Sequence, residues 1–366
     1  MDKLVSMMIK KKLPIIVSII VIGVGIILTK EYEIKETMQL TQEETLQDHF
    51  YDQYEGISEQ FIKETFMNEK HGVQDEESIL TSLNLLYMEY LLKENNRADF
   101  EKLTKFVQEN LITKDGFLGF GAYDHPEAEG MELVQQVSVI DTLKFYKLLT
   151  KAYLMWGEDY YSNLAEKIHP HDLKESQMDQ INQESLEQKE LELYKFDLRG
   201  IALLEKEEIL QKRIYKQAKR LLQKAYIGQA CPLYYTHYDF KNKTYIETER
   251  IDTLESLLIC KELSKNHALK KDTIKWLKNQ LKAGSIYEQY DVKTGIVTSH
   301  QENIAIYAIV AQLGKLEGDI ELYTLAMEKM LKFQVKDSES ILYGSFVNQE
   351  TGKVNCYENL QALLAF

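Results

Sequence analysis

Apolar runs alternate with amphipathic ones from residue 41 to the C-terminus. Residues 78–93 (SILTSLNLLYMEYLLK) are apolar nearly all round, the pattern of a helix buried on every side. Residues 97–112 (RADFEKLTKFVQENLI) keep Ala98, Phe100, Leu103, Phe106 and Val107 on one stripe and Glu101, Lys102, Lys105 and Glu109 elsewhere. That is a surface helix with one buried face. The pair recurs at 139–156 with 159–168, 196–204 with 207–226, 251–263 with 271–281, and 302–313 with 319–333. A sixth apolar helix, 357–366, ends the chain, and 41–67 supplies the amphipathic partner ahead of the first. Six inner and six outer helices predict an all-α fold, an (α/α)6 toroid, because no repeat can bury its apolar faces alone. An open helical solenoid is the competing architecture; a count that stops at six favours closure. The third pair is the weakest, since residues 169–195 are polar and read as a loop or an added helix.

Short β-hairpins are expected at one rim of this ring. Tyr, Val and Ile alternate around turn residues in 234–245 (YYTHYDFKNKTY), 286–297 (IYEQYDVKTGIV) and 342–354 (LYGSFVNQETGKV), with a looser copy at 115–123 (DGFLGFGAY). Ahead of the repeats, residues 13–29 carry no charge, at the short end of the roughly 17–25 residues that cross a bilayer. Lys10, Lys11 and Lys12 precede them, which places the N-terminus in the cytoplasm and the remainder outside the cell membrane. The expected organisation is a basic tail (1–12), a transmembrane anchor (13–29), a juxtamembrane linker (30–48) and the toroid (49–366). A cleaved signal peptide is the alternative, but residues 28–32 (LTKEY) lack the small residues of a cleavage site.

With 44% hydrophobic residues, 4 Pro and 17 Gly in 366, the chain is neither disordered nor low in complexity. A net charge of −14 argues against nucleic acid as a partner, and the basic tail leaves the remainder more acidic still. A neutral or cationic ligand is expected. Cys231, Cys260 and Cys356 are too few for a disulfide framework or a zinc site; one bridge is left open, and Cys260 reads as core. His169-Pro170-His171-Asp172 reads as a surface turn. Neither a phosphate loop nor a nucleophile elbow occurs, so no cofactor and no metal is expected.

Every apolar helix opens with an acid: Asp75-Glu76-Glu77, Asp141, Asp197, Asp252, Glu302 and Glu358. Helix capping alone accounts for an acid at such a position. In a toroid, however, parallel inner helices aim these acids at one end of the cavity. Hydrolysis of a glycosidic bond with inversion needs one protonated acid and one carboxylate roughly 6.5–9.5 Å apart. A helix N-terminus depresses a carboxyl pKa, whereas a general acid needs it raised, so desolvation and a neighbouring acid must outweigh the dipole.

Residues 50–366 resemble glycoside hydrolase family 8. The stretch from Phe61 through Gly72-Val73-Gln74-Asp75-Glu76-Glu77-Ser78 is similar to the approach to the family's Ser-Glu-Gly motif. Residues 100–123 resemble the segment that follows it. Ser138-Val139-Ile140-Asp141 with Trp156-Gly157 is similar to the family's Asp-Ala-Asp-Leu-Asp helix, Ile251-Asp252 to its Tyr-Asp, and 357–364 to its last inner helix. The resemblance implies inverting cleavage of β-linked polysaccharide, with Glu76 as general acid, Asp252 as general base and Asp141 binding substrate. Tyr123, Tyr235, Tyr238, Tyr290, Tyr357, Glu302 and Glu358 are the further substrate-binding candidates. The departures are clear. Asp75 and Glu77 flank the acid, one aspartate remains of the three, Glu255 stands where many members have Arg, and Trp156 and Trp276 are the only indoles. The alternative function is an inactive glycan-binding or exopolysaccharide-assembly protein on the same toroid.

Overall fold

A computed structural model of the chain describes residues 54–68, 70–75, 78–124, 131–168, 190–208, 212–348 and 351–366. The 13–29 run, the His169–Asp172 turn and Glu76 lie outside the described residues. Among the described residues, no helix is long and apolar enough to cross a membrane.

Six helices alternate with six others along these residues. The inner set is α2 (Thr81–Lys93), α4 (Val139–Trp156), α6 (Leu198–Lys206), α8 (Thr253–Lys265), α10 (Ile304–Glu317) and α12 (Cys356–Ala365). The outer set is α1 (Gly56–Phe66), α3 (Arg97–Asn110), α5 (Asp159–Lys167), α7 (Ile214–Lys224), α9 (Lys271–Ala283) and α11 (Ile320–Met330). The inner helices pack in ring order, α12 on α2, α2 on α4, α4 on α6, α8 on α10 and α10 on α12. Hydrogen bonds complete the circuit between α6 and α8: the Leu198 N–H donates to Glu262 Oε2 (3.2 Å) and Arg199 to the Lys265 carbonyl (2.9 Å). The toroid therefore closes. Burial follows the expected pattern, with every residue of α10 from Ile304 to Gly314 buried and α3 burying Phe100, Leu103, Phe106 and Val107. Gly314 lets α10 and α11 touch, because a Cβ there would lie 2.6 Å from the Tyr323 nitrogen. The three cysteines are buried free thiols.

One device recurs around the ring. The fourth residue of five inner helices is polar, and it accepts the backbone N–H of a buried residue on the incoming chain. The pairs are Val73 to Asn84 (2.7 Å), Leu118 to Thr142 (2.9 Å), Tyr234 to Ser256 (2.8 Å), Ile286 to Tyr307 (3.3 Å) and Phe346 to Asn359 (2.8 Å). Asn84 and Asn359 also donate back to the carbonyls of Val73 (3.0 Å) and Phe346 (2.9 Å), so each amide pairs like a strand. These bonds satisfy backbone groups that no water reaches. The third repeat lacks the device: the fourth residue of α6 is Ile201.

The hairpins are present, but as parts of three-stranded antiparallel sheets. These are β1 (Ser78–Leu80), β2 (Gly121–Asp124) and β3 (Met131–Leu133); β4 (Glu190–Glu192), β5 (His237–Asp239) and β6 (Thr244–Tyr245); and β7 (Arg250–Asp252), β8 (Gln289–Asp291) and β9 (Val297–Ser299). Ser78 pairs with Tyr123 and Asp252 with Gln289. Residues 78–80 and 251–252, expected as the first turns of inner helices, are therefore strands that lead into them. Their partners lie about 40 residues away in sequence, beyond the reach of a local pattern. The expected hairpin at 342–354 is reduced to one bridge, Val347 with Val354.

Candidate active site at the rim of the ring

Asp252 ends β7 and caps α8, its Oδ1 accepting the Glu255 N–H (2.9 Å); the side chain is exposed. Asp141 sits in the first turn of α4, which Ser138 caps. The Asp141 N–H donates to Ser138 Oγ (3.3 Å), and the Ser138 hydroxyl returns a bond to Asp141 Oδ2 (2.6 Å). Burial lifts the Asp141 carboxyl above its ordinary value, against the pull of Ser138, Lys144 and Lys195. Asp252 is thus a helix cap and exposed, whereas Asp141 is capped by Ser138 and half-buried.

The chain between β4 and α6 joins these two sites. Lys195 is among the charges acting on Asp141, and it forms an ion pair with Glu192 (2.5 Å). The Tyr194 hydroxyl donates to Glu192, and its ring meets His237 edge-on at 5.8 Å. Tyr194 is lifted far above the phenol range by burial and by Glu192, with Glu255 and Asp252 adding to it. Glu255 is itself raised, by burial first and by the charge of Asp252 among its neighbours. Asp252, Glu255, Glu192, Tyr194 and His237 therefore form one polar wall.

A second group of acids surrounds Glu358. Glu358, in the first turn of α12, is pushed up to about 7 by burial and by the charge of Glu288. It is not the cap of its helix; Asn355 is, accepting the Glu358 N–H (3.1 Å). Glu288 leads into β8, where its carbonyl accepts the Thr253 N–H (2.9 Å) beside Asp252, and its carboxylate accepts from Asn303 (3.3 Å). Glu302 accepts a hydrogen bond from Tyr307. At Glu358, burial and a like charge outweigh the helix dipole, the balance a general acid requires. Asp75 acts electrostatically on Cys356, so the chain entering the first repeat runs beside the start of α12.

The aromatic candidates divide. Tyr123 is 47% exposed on β2 and Tyr357 is half-buried at the start of α12. Tyr235 stacks on Tyr245 (6.2 Å, 22°), and Tyr238 meets the same ring edge-on at 5.1 Å. Tyr290, expected to face substrate, is fully buried; its ring packs against Trp276 at 5.0 Å and its hydroxyl accepts the Tyr287 N–H. It belongs to the core, because the inward side of β8 lies under the sheet. Trp156 packs on Phe100 and Tyr161, so neither indole reaches the rim. Phe120 and Ile140, both exposed, extend the apolar surface beside Tyr123 and Asp141. Neither they nor Glu288 and Tyr194 were singled out for the site from the sequence, whereas His237 was read as a histidine near the rim. Phe120, Glu288, Tyr194 and His237 lie on strands or loops rather than at helix starts, where the only signal was an aromatic or acid next to a hairpin turn. Among the described residues, no group of His, Cys, Asp and Glu is placed to hold a metal.

The architecture has solved counterparts. An alpha-amylase from Clostridium perfringens superposes with a TM-score of 0.70 at 24% identity, over 85% of this chain and 96% of that one. PssZ from Listeria monocytogenes gives 0.61 at 17% identity (84% and 94%). A family 8 endo-β-1,4-glucanase from an Achatina fulica gut metagenomic library gives 0.52 at 15% identity (84% and 96%). No family model and no curated protein matches the chain. The fold is that of the family 8 glycoside hydrolases, a closed ring of paired helices.

Proposed function

We propose that the chain is a glycoside hydrolase of the cell surface, held to the membrane by residues 13–29, that cleaves β-linked polysaccharide with inversion. Glu76 is the general acid, Asp252 the general base, and Asp141 orients the sugar. The observation that carries this reading is the rim itself. It gathers Glu358, which keeps its proton up to about 7, and the exposed carboxyl of Asp252 on inner helices of one ring. Exposed Tyr123 and Phe120 beside Asp141 offer flat faces to the C–H side of a sugar. The competing reading, an inactive glycan-binding protein, draws on the capping role of Asp252.

The test is a screen of β-1,4-glucan, xylan, chitosan, bacterial exopolysaccharide and starch for new reducing ends. Starch is included because the Clostridium perfringens neighbour is described as an alpha-amylase. Glu76→Gln and Asp252→Asn are expected each to abolish turnover of the substrate that the wild type cleaves, and proton NMR of the first product is expected to show the inverted anomer. Full activity in both variants would overturn the assignment. Fractionation of cells is expected to place the full chain with the membrane, and a chain lacking residues 1–29 in the soluble fraction.

A further inference from the structure

The middle of the ring is charged. On α4, Lys144, Lys147 and Lys151 follow one another at three- and four-residue spacing, which puts them on one face; Lys261 and Lys265 do the same on α8. Glu89 on α2 feels the charge of Lys265, Lys261, Lys144 and Lys147. Helices α2 and α8 are not neighbours in the ring, since α4 and α6 stand between them on one side and α10 and α12 on the other. Side chains from α2 and α8 therefore meet only across the axis.

The cations outnumber their partners. Lys147 pairs with Asp197 and Lys265 with Glu262 (2.8 Å), while Arg199 donates to a carbonyl. Among the described residues, no acid lies within ion-pair distance of Lys144, Lys151 or Lys261. Solvent still reaches the axis, for Lys151 and Arg199 are exposed and Lys144, Lys147, Lys261 and Lys265 are half-buried. Lys144 links this centre to the rim, lying one turn below Asp141 and acting on it. Helix α6 begins deep on that side. Its N-terminus docks at mid-height of α4, through Asp197 and Lys147, and near the end of α8, through Leu198 and Glu262. It thus starts roughly 15 Å below Asp252, at 1.5 Å per residue.

We propose that this axis receives an anionic group, a carboxylate or phosphate, carried by the saccharide chain bound at the rim above it. The inference rests on the glycosidase reading and adds to it the substrate class. Like charges that crowd one another out of bulk water either lose protons or bind a counter-charge. Lys261 is already pushed down to about 8 by burial and by Lys265. The acidic surface implies a neutral or cationic ligand; the interior reverses that sign.

A matched pair of probes tests the proposal on the full chain: cellohexaose and its C6-oxidised counterpart, a β-1,4-glucuronan hexamer. At low ionic strength the charged hexamer is expected to bind at least tenfold more tightly. The preference is expected to shrink with added salt and to vanish in a Lys144→Met/Lys261→Met variant, with Lys261→Gln as a milder companion if the double variant folds poorly. Equal binding of the two hexamers, or a preference that survives both variants, would overturn the charge inference alone. If neither hexamer binds, this inference is overturned, while the glycosidase reading is decided separately by the reducing-end screen. Inorganic phosphate is the third arm. If it alone raises the melting temperature as much as the charged hexamer does, the axis serves a free ion and the substrate assignment is overturned.

Discussion

Glu55 shows what a single desolvated carboxyl does to this fold. It is 1% exposed, its oxygens lack hydrogen-bond partners among the described residues, and Lys93 stands 3.7 Å away. Burial raises it to about 7, with Lys93 opposing. Between its unfolded value of 4.5 and about 7 the native chain holds a proton that the unfolded chain has lost, so stability falls as pH rises through that window. Glu55→Gln is expected to raise stability by about 3 kcal/mol at pH 8 and to leave it unchanged at pH 4, measured by denaturant melts at both. An equal effect at both pH values would refute this account. The same physics at Glu358 predicts a kinetic result. If its proton is used in turnover, the alkaline limb of the rate profile lies near 7 and moves to lower pH in Glu288→Gln, because removing the neighbouring charge lowers the Glu358 pKa. An unmoved limb would exclude Glu358 from the chemistry.

The helices were legible because their information is local. An apolar stripe at helical spacing marks a buried face whatever lies against it, and 139–156 was assigned to the residue. The strands at 78–80 and 250–252 were not, since three residues carry no period and their partners lie far along the chain. The polar fourth residue of the inner helices also escaped notice. A lone Asn, Thr or Ser in an apolar run reads as tolerated rather than required until the incoming N–H is seen beside it. That role is testable at Asn359, where substitution by Leu strands the Phe346 N–H and C=O in the core. A loss of roughly 2–5 kcal/mol is expected from two unpaired buried groups, whereas Ile201→Asn, at the equivalent position of the third repeat, has no such bond to restore and is expected to gain nothing. Chemical denaturation of both variants decides the point. At the contact of α10 with α11, Gly314→Ala is expected to cost about 3 kcal/mol through overpacking, because the nearest atoms are backbone.

Closure of the ring was inferred from a count of six, and the structure shows that the six are unequal. Between α10, α11 and α12 the contacts are sealed and mostly apolar, with Ile304 to Gly314 and Leu360 to Ala365 buried throughout and Gln312 donating to Gln361 as a buried polar pair. Around α6 the joints are polar: Asp197 with Lys147, Leu198 with Glu262, and Arg199 with the Lys265 carbonyl. The sequence hinted at this in its polar 169–195 stretch, but not at the depth of α6. That depth is set by Lys147 and Glu262, residues 50 and 64 positions from their partners. A polar joint contributes less than the apolar area it replaces, since its groups exchange water for one another at little net gain. The weakest joint is thus the one beside the charged axis, and it also follows the segment that carries Tyr194 and Lys195 to the rim. Native-state hydrogen exchange is expected to find α6 and α7 opening at a small fraction of the global free energy and α10 only on global unfolding. Protection of α6 equal to that of α10 would mean that the third repeat is held as firmly as the rest, and that polar joints serve this ring as well as apolar ones.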